Sequence, residues 1–356
     1  MALTEEQQRL LAEADAIRDM QQRDVEQERM AFFPMDPDYG HEKPIVGIVG
    51  HGFVGKAVER CLHPNVEKFL VDPNYKTTID QLIEAQPSLC FVCTPTPVQN
   101  NGRIDAASTV DAVLKLIRLT KSAVVLKSTV TPDMIDKLCR SIENEEASAR
   151  FIYSPEFLTE KNADHEFSNP EYMVLGGMPQ SNGMLLQFYQ QSTYMKLPSH
   201  EKICQLTPVE ASFVKYAINS FLAMKVTFFN QLCKAIEDEP MTAMPLAVIK
   251  ALSMEPRLGN SHWRVPGPDG KFGFGGACFP KDVSAFVNYT DKMTLLDKVM
   301  EINTDIRSQY DLDEREKVAN VTFKASDVTI IDKEGEVLTE PDLLDTQGDL
   351  FDEDAA

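Results

Sequence analysis

The chain has 356 residues, 43% apolar and 25% charged, with a formal net charge of −20. That length holds two domains and a sizeable core. No apolar run approaches the ~18 residues of a membrane span. The charge gathers at the ends: residues 1–43 hold 11 acids and five bases, and residues 326–356 hold 11 acids and one lysine. The body between them is only mildly acidic, which excludes a nucleic-acid backbone binder. Seven scattered cysteines, an odd number, fit the reduced thiols of a cytoplasm better than a disulfide framework. Charge from Glu5 onward leaves no signal peptide.

Residues 4–30 read as one helix. Thr4 and Gln7 make a capping box, and Leu10, Leu11, Ala14 and Ile17 form a thin apolar stripe. Such a helix needs a partner surface. A linker with Phe32, Phe33, Pro34 and Pro37 closes a 1–43 extension. An apolar strand over 45–50 then runs into Gly50-His51-Gly52-Phe53-Val54-Gly55, which opens a helix through about Leu62. A second strand over 67–72 ends in Asp72, about 20 residues on, which is the context of a dinucleotide fold. Gly50 allows the tight turn, Gly52 admits a pyrophosphate, and Gly55 lets helix and strand pack closely. Asp72 would hold the adenosine ribose hydroxyls. Its charge favours NAD over NADP.

Further alternation follows: a helix over 78–85, a strand over 89–94, a helix over 105–119, and strands over 123–128 and 151–154. The strand over 173–176 is read as the last. Cys90 and Cys93 have CxxC spacing, but they lie in an apolar strand with no second pair, so the reading is structural. Thr207 and Pro208 start a long helix over 207–237. Its Lys215 and Asn219 are four apart and share a face, which by itself reads as surface decoration. Trp263, the only tryptophan, reads as packing rather than a binding platform. The fold class is α/β, a doubly wound parallel sheet over 44–204 followed by an all-helical domain over 205–320. An acidic, structureless tail over 321–356 completes the chain.

Residues 271–282 read KFGFGGACFPKD. Gly273, Gly275 and Gly276 give backbone that bends sharply. Cys278 follows, with Lys281 and Asp282 close behind. A nearby cation favours the thiolate, the form that attacks, and a carboxylate can steer water or take a proton.

This stretch resembles the active-site loop of the UDP-glucose/GDP-mannose dehydrogenase family, GFGGSCFPKD, with Ala277 in place of serine. The resemblance extends to Thr94-Pro95-Thr96, to Lys127-Ser128-Thr129-Val130, and to Pro155-Glu156-Phe157-Leu158-Thr159-Glu160. It also takes in FVKYAINSF around Lys215 and Asn219, and Arg257-Leu258-Gly259-Asn260. The family's glycine after the PEFLxE stretch is Lys161 here, and its following arginine is absent, with Glu171 and Tyr172 nearby.

The resemblance implies NAD contacts from Gly50, Gly52, Phe53, Val54, Gly55, Asp72, Thr94, Pro95 and Thr129. It implies catalysis by Cys278, Asp282, Lys215, Asn219, Glu160 and Thr129. It implies contacts to a sugar-nucleotide substrate from Glu156, Phe157, Leu158, Lys215, Asn219, Arg257, Phe272, Gly273 and Gly275. The reaction it implies is a four-electron oxidation of a sugar-nucleotide primary alcohol to a carboxylate, with UDP-glucose the first candidate. A homodimer through the 207–237 helix is implied as well. The residues after the resemblance, which ends near 310, are too few and too acidic for the family's second nucleotide-gripping domain. Two other classes stay open: a two-electron hydroxyacid or alcohol dehydrogenase on the same fold, and a non-catalytic NAD-binding scaffold. In the tail, Gln347, Gly348, Asp349, Leu350 and Phe351 resemble the short peptide by which bacterial replication proteins dock on the sliding clamp. A plain solvated tail is the competing reading.

Overall fold

The computed structural model describes residues 44–142, 144–159, 162–238, 243–259, 261–323, 330–331 and 337–338. The N-terminal helix expected over 4–30 and the clamp-like peptide lie outside the described residues, as does Glu160.

The chain divides into two compact units. The first opens as β1 (Ile45–Val49), α1 (Phe53–Cys61), β2 (Glu67–Val71), α2 (Ile79–Glu84), β3 (Leu89–Val92), α3 (Ala107–Leu119) and β4 (Ala123–Leu126). It continues with α4 (Pro132–Arg140), α5 (Glu145–Ser148), β5 (Phe151–Tyr153), α6 (Ala163–Ser168), β6 (Met173–Gly177), α7 (Pro179–Ser192) and β7 (Ile203–Leu206). The strands form one sheet in the order β2-β1-β3-β4-β5-β6-β7. Every pair is parallel except β5 with β6. All residues of β3 and β4 are buried, as expected of parallel strands covered by helices on both faces. Val46, Ile48, Phe91, Val125, Ile152 and Leu175 bring the strands into one apolar core with α1 and α7. Local signals agree with the fold. Thr78 and Gln81 make a reciprocal cap on α2, and Pro132 sits in the first turn of α4.

The structure adds β7, where the sequence reading ended the sheet one strand earlier. β7 pairs with β6 in register from Met173↔Ile203 to Gly176↔Leu206. It lies at the sheet edge and none of its residues is fully buried, so it lacks the apolar run that marks the inner strands.

α8 (Pro208–Asp238) is the long helix foreseen. Thr207 and Glu210 cap it reciprocally: the Thr207 amide donates to Glu210 Oε2 at 2.8 Å, and the Glu210 amide to Thr207 Oγ1 at 3.3 Å. Its first half belongs with the sheet. Ser212 donates to the Val130 carbonyl at 2.7 Å. Gly176 on β6 leaves room for Ala211, whose Cβ would lie 2.8 Å from any Cβ placed there.

The domain boundary expected at 204/205 is therefore displaced. Residues 44–225, with 275–296 and 313–321, group with the sheet. Those segments include α10 (Phe279–Tyr289), α12 (Glu314–Val318) and the cysteine itself. The second unit holds 226–274 and 297–312 with Thr322 and Phe323, including α9 (Pro245–Leu252) and most of α11 (Thr294–Arg307). Its core is Phe229, Cys233, Ile249 and Val265, with Leu232, Leu252 and Trp263 packed against it. Trp263 is thus a packing residue. Arg307 is buried there, donating to Asp269 Oδ2 at 2.8 Å between the Tyr310 and Phe323 rings.

The tail reading changes at four residues: Ile330–Ile331 pairs antiparallel with Val337–Leu338. No described helix is long and apolar enough to cross a membrane.

Candidate active site

The turn between β1 and α1 is shaped by sterics. Gly50 has φ +90°, and a Cβ there would lie 2.6 Å from the Cys93 carbonyl oxygen. A Cβ on Gly55 would lie 2.1 Å from the Gly50 oxygen. Around Gly52, by contrast, a Cβ would meet nothing within 4 Å. Gly52 caps α1 without a side-chain bond, and the first turn of α1 carries no acid. Its amides and the positive end of the helix are left for an anion. Phe53 and Val54 are half-buried behind it.

Asp72, at the end of β2, accepts from the amides of His51 at 2.9 Å and Asn74 at 3.0 Å. These two bonds hold its carboxyl below the usual range, so it is ionised. Across the sheet, Thr94 shares a hydrogen bond with Thr109 at 2.7 Å, and Pro95 is exposed. Thr96 donates to the Thr129 carbonyl at 3.0 Å, and Ser128 donates to the Thr94 carbonyl at 2.7 Å. The loops after β3 and β4 are thereby fastened together. These residues fit a dinucleotide: an open glycine face, free amides at a helix start, and an ionised acid about one strand away.

The second constellation lies where α8, α10 and the segment after β5 meet. Lys215 and Asn219 are both buried, on the inner face of α8. Lys215 Nζ donates to the Glu156 carbonyl at 2.6 Å and lies 3.5 Å from Glu156 Oε1. Glu156 Oε2 accepts from the Leu158 amide at 2.7 Å. Lys215 Nζ also stands 5.2 Å from the centre of the Phe157 ring, which packs on Tyr172 at 4.9 Å. Asn219 Nδ2 donates to Asp282 Oδ2 at 2.5 Å. The other Asp282 oxygen pairs with Lys281. Asp282 is 1% exposed, so both its oxygens are committed to these partners.

Cys278 is half-buried at the start of α10. Burial pushes its thiol up to about 12, the Glu156 and Asp282 carboxylates add to the rise, and Lys215 and Lys281 oppose it. The sequence expectation of a thiolate favoured by the nearby cation is corrected here. Desolvation and two carboxylates outweigh the two ammonium groups, and the resting sulfur carries its proton. For Lys215 desolvation works against the charge. Glu156, Asp282 and Cys278 outweigh it and hold the pKa above the usual lysine value.

A second buried lysine completes the group. Lys127 Nζ donates to Ser154 Oγ at 3.2 Å and lies 5.7 Å from the Phe167 ring centre. Burial lowers it to about 8, opposed by Cys93 and Glu156 and aided by Lys215. Sequence reasoning quoted Lys127 only as part of a motif. Its place directly after a wholly buried strand was the available signal.

The first unit therefore brings together Glu156, Phe157, Lys215, Asn219, Cys278 and Asp282. Gly275 belongs to the same unit. Arg257, Phe272 and Gly273 belong to the second. There Arg257 is exposed and bonds Glu255 at 2.7 Å, and the Gly273 amide donates to Asn230 at 2.9 Å. Phe272 is exposed. Glu156, expected among the substrate contacts, is the carboxylate set against Lys215, and its charge also acts on Cys278.

A parallel sheet with a glycine turn and an acid ending its second strand defines an NAD-binding unit of the dehydrogenase type. Residues 53–193 match the UDP-glucose/GDP-mannose dehydrogenase family, NAD binding domain, and residues 209–305 match the same family's central domain. The chain belongs to that family. It is 29% identical over 214 residues to UDP-glucose 6-dehydrogenase of Rickettsia bellii, covering 59% of this chain and 47% of that protein. It is 26% identical over 285 residues to UDP-glucose 6-dehydrogenase YwqF of Bacillus subtilis, covering 75% and 62%. The chain thus spans about half to three-fifths of the length of these relatives. Among solved structures, the fold is that of a UDP-glucose dehydrogenase from Pyrobaculum islandicum. The TM-score is 0.59 at 24% identity, over 74% of this chain and 69% of that one. It is also that of a 3-hydroxyisobutyrate dehydrogenase from Mycobacterium tuberculosis, with TM-score 0.55 at 14% identity, over 79% and 97%.

Proposed function

We propose that this chain oxidises the primary alcohol of a sugar nucleotide to a carboxylate in two steps, with UDP-glucose as the first candidate substrate, through a covalent intermediate on Cys278. The observation that carries the reading is the buried cluster of Lys215, Asn219, Glu156 and Asp282 around one partly accessible thiol. A two-electron alcohol oxidation has no use for that sulfur. Gly50, Gly52, Gly55 and Asp72 would hold NAD, which accepts one hydride in each of the two oxidation steps.

Cys278 adds to the aldehyde carbon left by the first oxidation. The C–S bond forms, and the thiol proton ends on the former carbonyl oxygen. Lys215, held as a cation, stabilises negative charge on that oxygen during the attack. Asp282 takes one hydrogen of the Asn219 amide and so aims the other. The thiohemiacetal is oxidised to a thioester. Water attacks that carbonyl, its proton passing toward Glu156, the C–S bond breaks, and the thiol regains its proton. Thr129, whose carbonyl accepts from Thr96, and Glu160 complete the set for which we propose catalytic roles. Arg257, Phe272, Gly273 and Gly275 are proposed as substrate contacts.

α8 leaves Phe213, Phe221 and Phe228 40%, 60% and 59% exposed at spacings of eight and seven, which put them on one helical face. Such a stripe suits a second copy of the same helix, and a homodimer is part of the proposal. Reduced thiols suit a cytoplasmic site of action. The test is a screen of UDP-glucose, GDP-mannose and N-acetylated sugar nucleotides for NADH release. Two NADH per sugar consumed is the expected count, and one would return the chain to a two-electron dehydrogenase.

A further inference from the structure

The glycine turn contains an ionisable residue that the oxidation does not use. His51 fills the variable position between Gly50 and Gly52, and its ring is buried. Nε2 lies 2.8 Å from Glu59 Oε2 on α1. Nδ1 lies 2.8 Å from the Tyr75 hydroxyl, beyond β2. Its backbone amide donates to Asp72 Oδ2. One imidazole therefore joins the turn, the helix and the acid expected to take the adenosine ribose. The charged groups that face it are Glu59 and Asp72, with Lys68 on β2 reaching only the Glu59 carbonyl, at 3.1 Å.

The hydrogen-bond directions follow from chemistry. An ionised carboxylate only accepts, so Nε2 carries a hydrogen toward Glu59. In the neutral ring Nδ1 is then a bare acceptor, and Tyr75 must donate to it. The Tyr75 oxygen turns only lone pairs outward, beside an ionised Asp72. Tyr75 itself is 47% exposed. A protonated ring reverses this. Nδ1–H donates to the Tyr75 oxygen, the hydroxyl hydrogen swings outward, and a positive charge sits beside Asp72.

We propose that His51 and Tyr75 form the specificity determinant for the 2′ position of the cofactor ribose, with a setting that follows the protonation of His51. With the ring neutral, the subsite offers acceptors only. It suits a hydroxyl, which can donate, and rejects a 2′-phosphate, which cannot. With the ring protonated, it offers a donor and one more positive charge, and the phosphate is tolerated. The inference rests on the NAD reading of the turn and not on the chemistry at Cys278.

Calorimetric dissociation constants of NAD and NADP with the full chain at pH 8.0 and 5.5 test it, without turnover. The ratio Kd(NADP)/Kd(NAD) is expected to narrow about tenfold more in the wild type than in His51→Asn, roughly the effect of one reversed hydrogen bond. The titration of the 2′-phosphate itself is common to both proteins and cancels. Tyr75→Phe changes an exposed residue and keeps the ring, so it stays informative if His51→Asn does not fold. It is expected to lower the ratio several-fold at pH 8.0 and to lose most of the extra narrowing. Equal narrowing in the wild type and the variants overturns the relay and leaves NAD binding intact. Failure of NAD to bind at either pH removes the relay together with the cofactor reading.

Discussion

The two constellations of the first unit are built on opposite plans. The dinucleotide turn is made mostly of backbone: a φ of +90° at Gly50, close approaches at Gly50 and Gly55, and an unfilled helix start. Its acid is half-exposed and held ionised by two amides. The cysteine cluster is made of side chains taken out of water: Lys215, Asn219, Glu156 and Asp282 are buried, and Lys127 is a buried neighbour of Glu156 and Lys215. There burial sets the protonation states, raising Cys278 to about 12 and lowering Lys127 to about 8. The turn should therefore respond to added volume. The cluster should respond to removal of a charge.

The largest separation is expected from Lys215→Met. It leaves the Glu156 carboxylate buried without its cation, a loss of roughly 3–5 kcal/mol in stability. It also removes the cation proposed to stabilise the oxyanion, with an expected fall in kcat of about 10²–10³. Urea unfolding and steady-state NADH release measure the two. If kcat falls while stability holds, the pairing with Glu156 is weaker than the geometry implies. Gly55→Ala is the matching probe of the turn. A Cβ 2.1 Å from a carbonyl oxygen forces the strand–helix junction apart. The expected cost is on the order of 2–4 kcal/mol, with weaker NAD binding by calorimetry. Ordinary affinity and stability would show that the turn yields easily.

The smallest expected effect is a pH trend. Folded Lys127 loses its proton from about 8, whereas its ordinary value is 10.5. Between those values the unfolded chain binds more protons, so this group's contribution to stability rises with pH. Relative to Lys127→Met, the wild type should gain up to roughly 3 kcal/mol from pH 8 to 10.5. The thiols of Cys90, Cys93 and Cys278, raised to about 12 from 9.0, act the other way. They are common to both proteins, and their drift largely cancels in the difference. A flat difference would mean that Lys127 is not strained by burial.

The same contrast explains what could be read in advance. The turn was legible because its requirement is local: glycines at fixed spacing between a strand and a helix, then Asp72 at the end of the next strand. Lys215 and Asn219 were legible as a shared helical face, and their direction came from resemblance alone. What escaped depended on burial and on contacts distant in sequence. The protonated Cys278 follows first from burial and then from carboxylates 122 and four positions away. Glu156 is set beside Lys215 by packing of α8 on the segment after β5, which no spacing announces. β7 escaped because an edge strand needs no apolar run. The displaced domain boundary follows from Ser212 and Ala211 docking on Val130 and Gly176, a long-range fit invisible in local pattern.

The claim beneath these comparisons is that the sulfur of Cys278 becomes bonded to the substrate carbon. The most direct test supplies Cys278→Ser enzyme with NAD and the sugar-nucleotide aldehyde, and follows carboxylate formation by chromatography. A rate at least about a thousandfold below that of the wild type is expected, with the aldehyde recovered unchanged. Carboxylate formation at the wild-type rate would contradict covalent catalysis at this position.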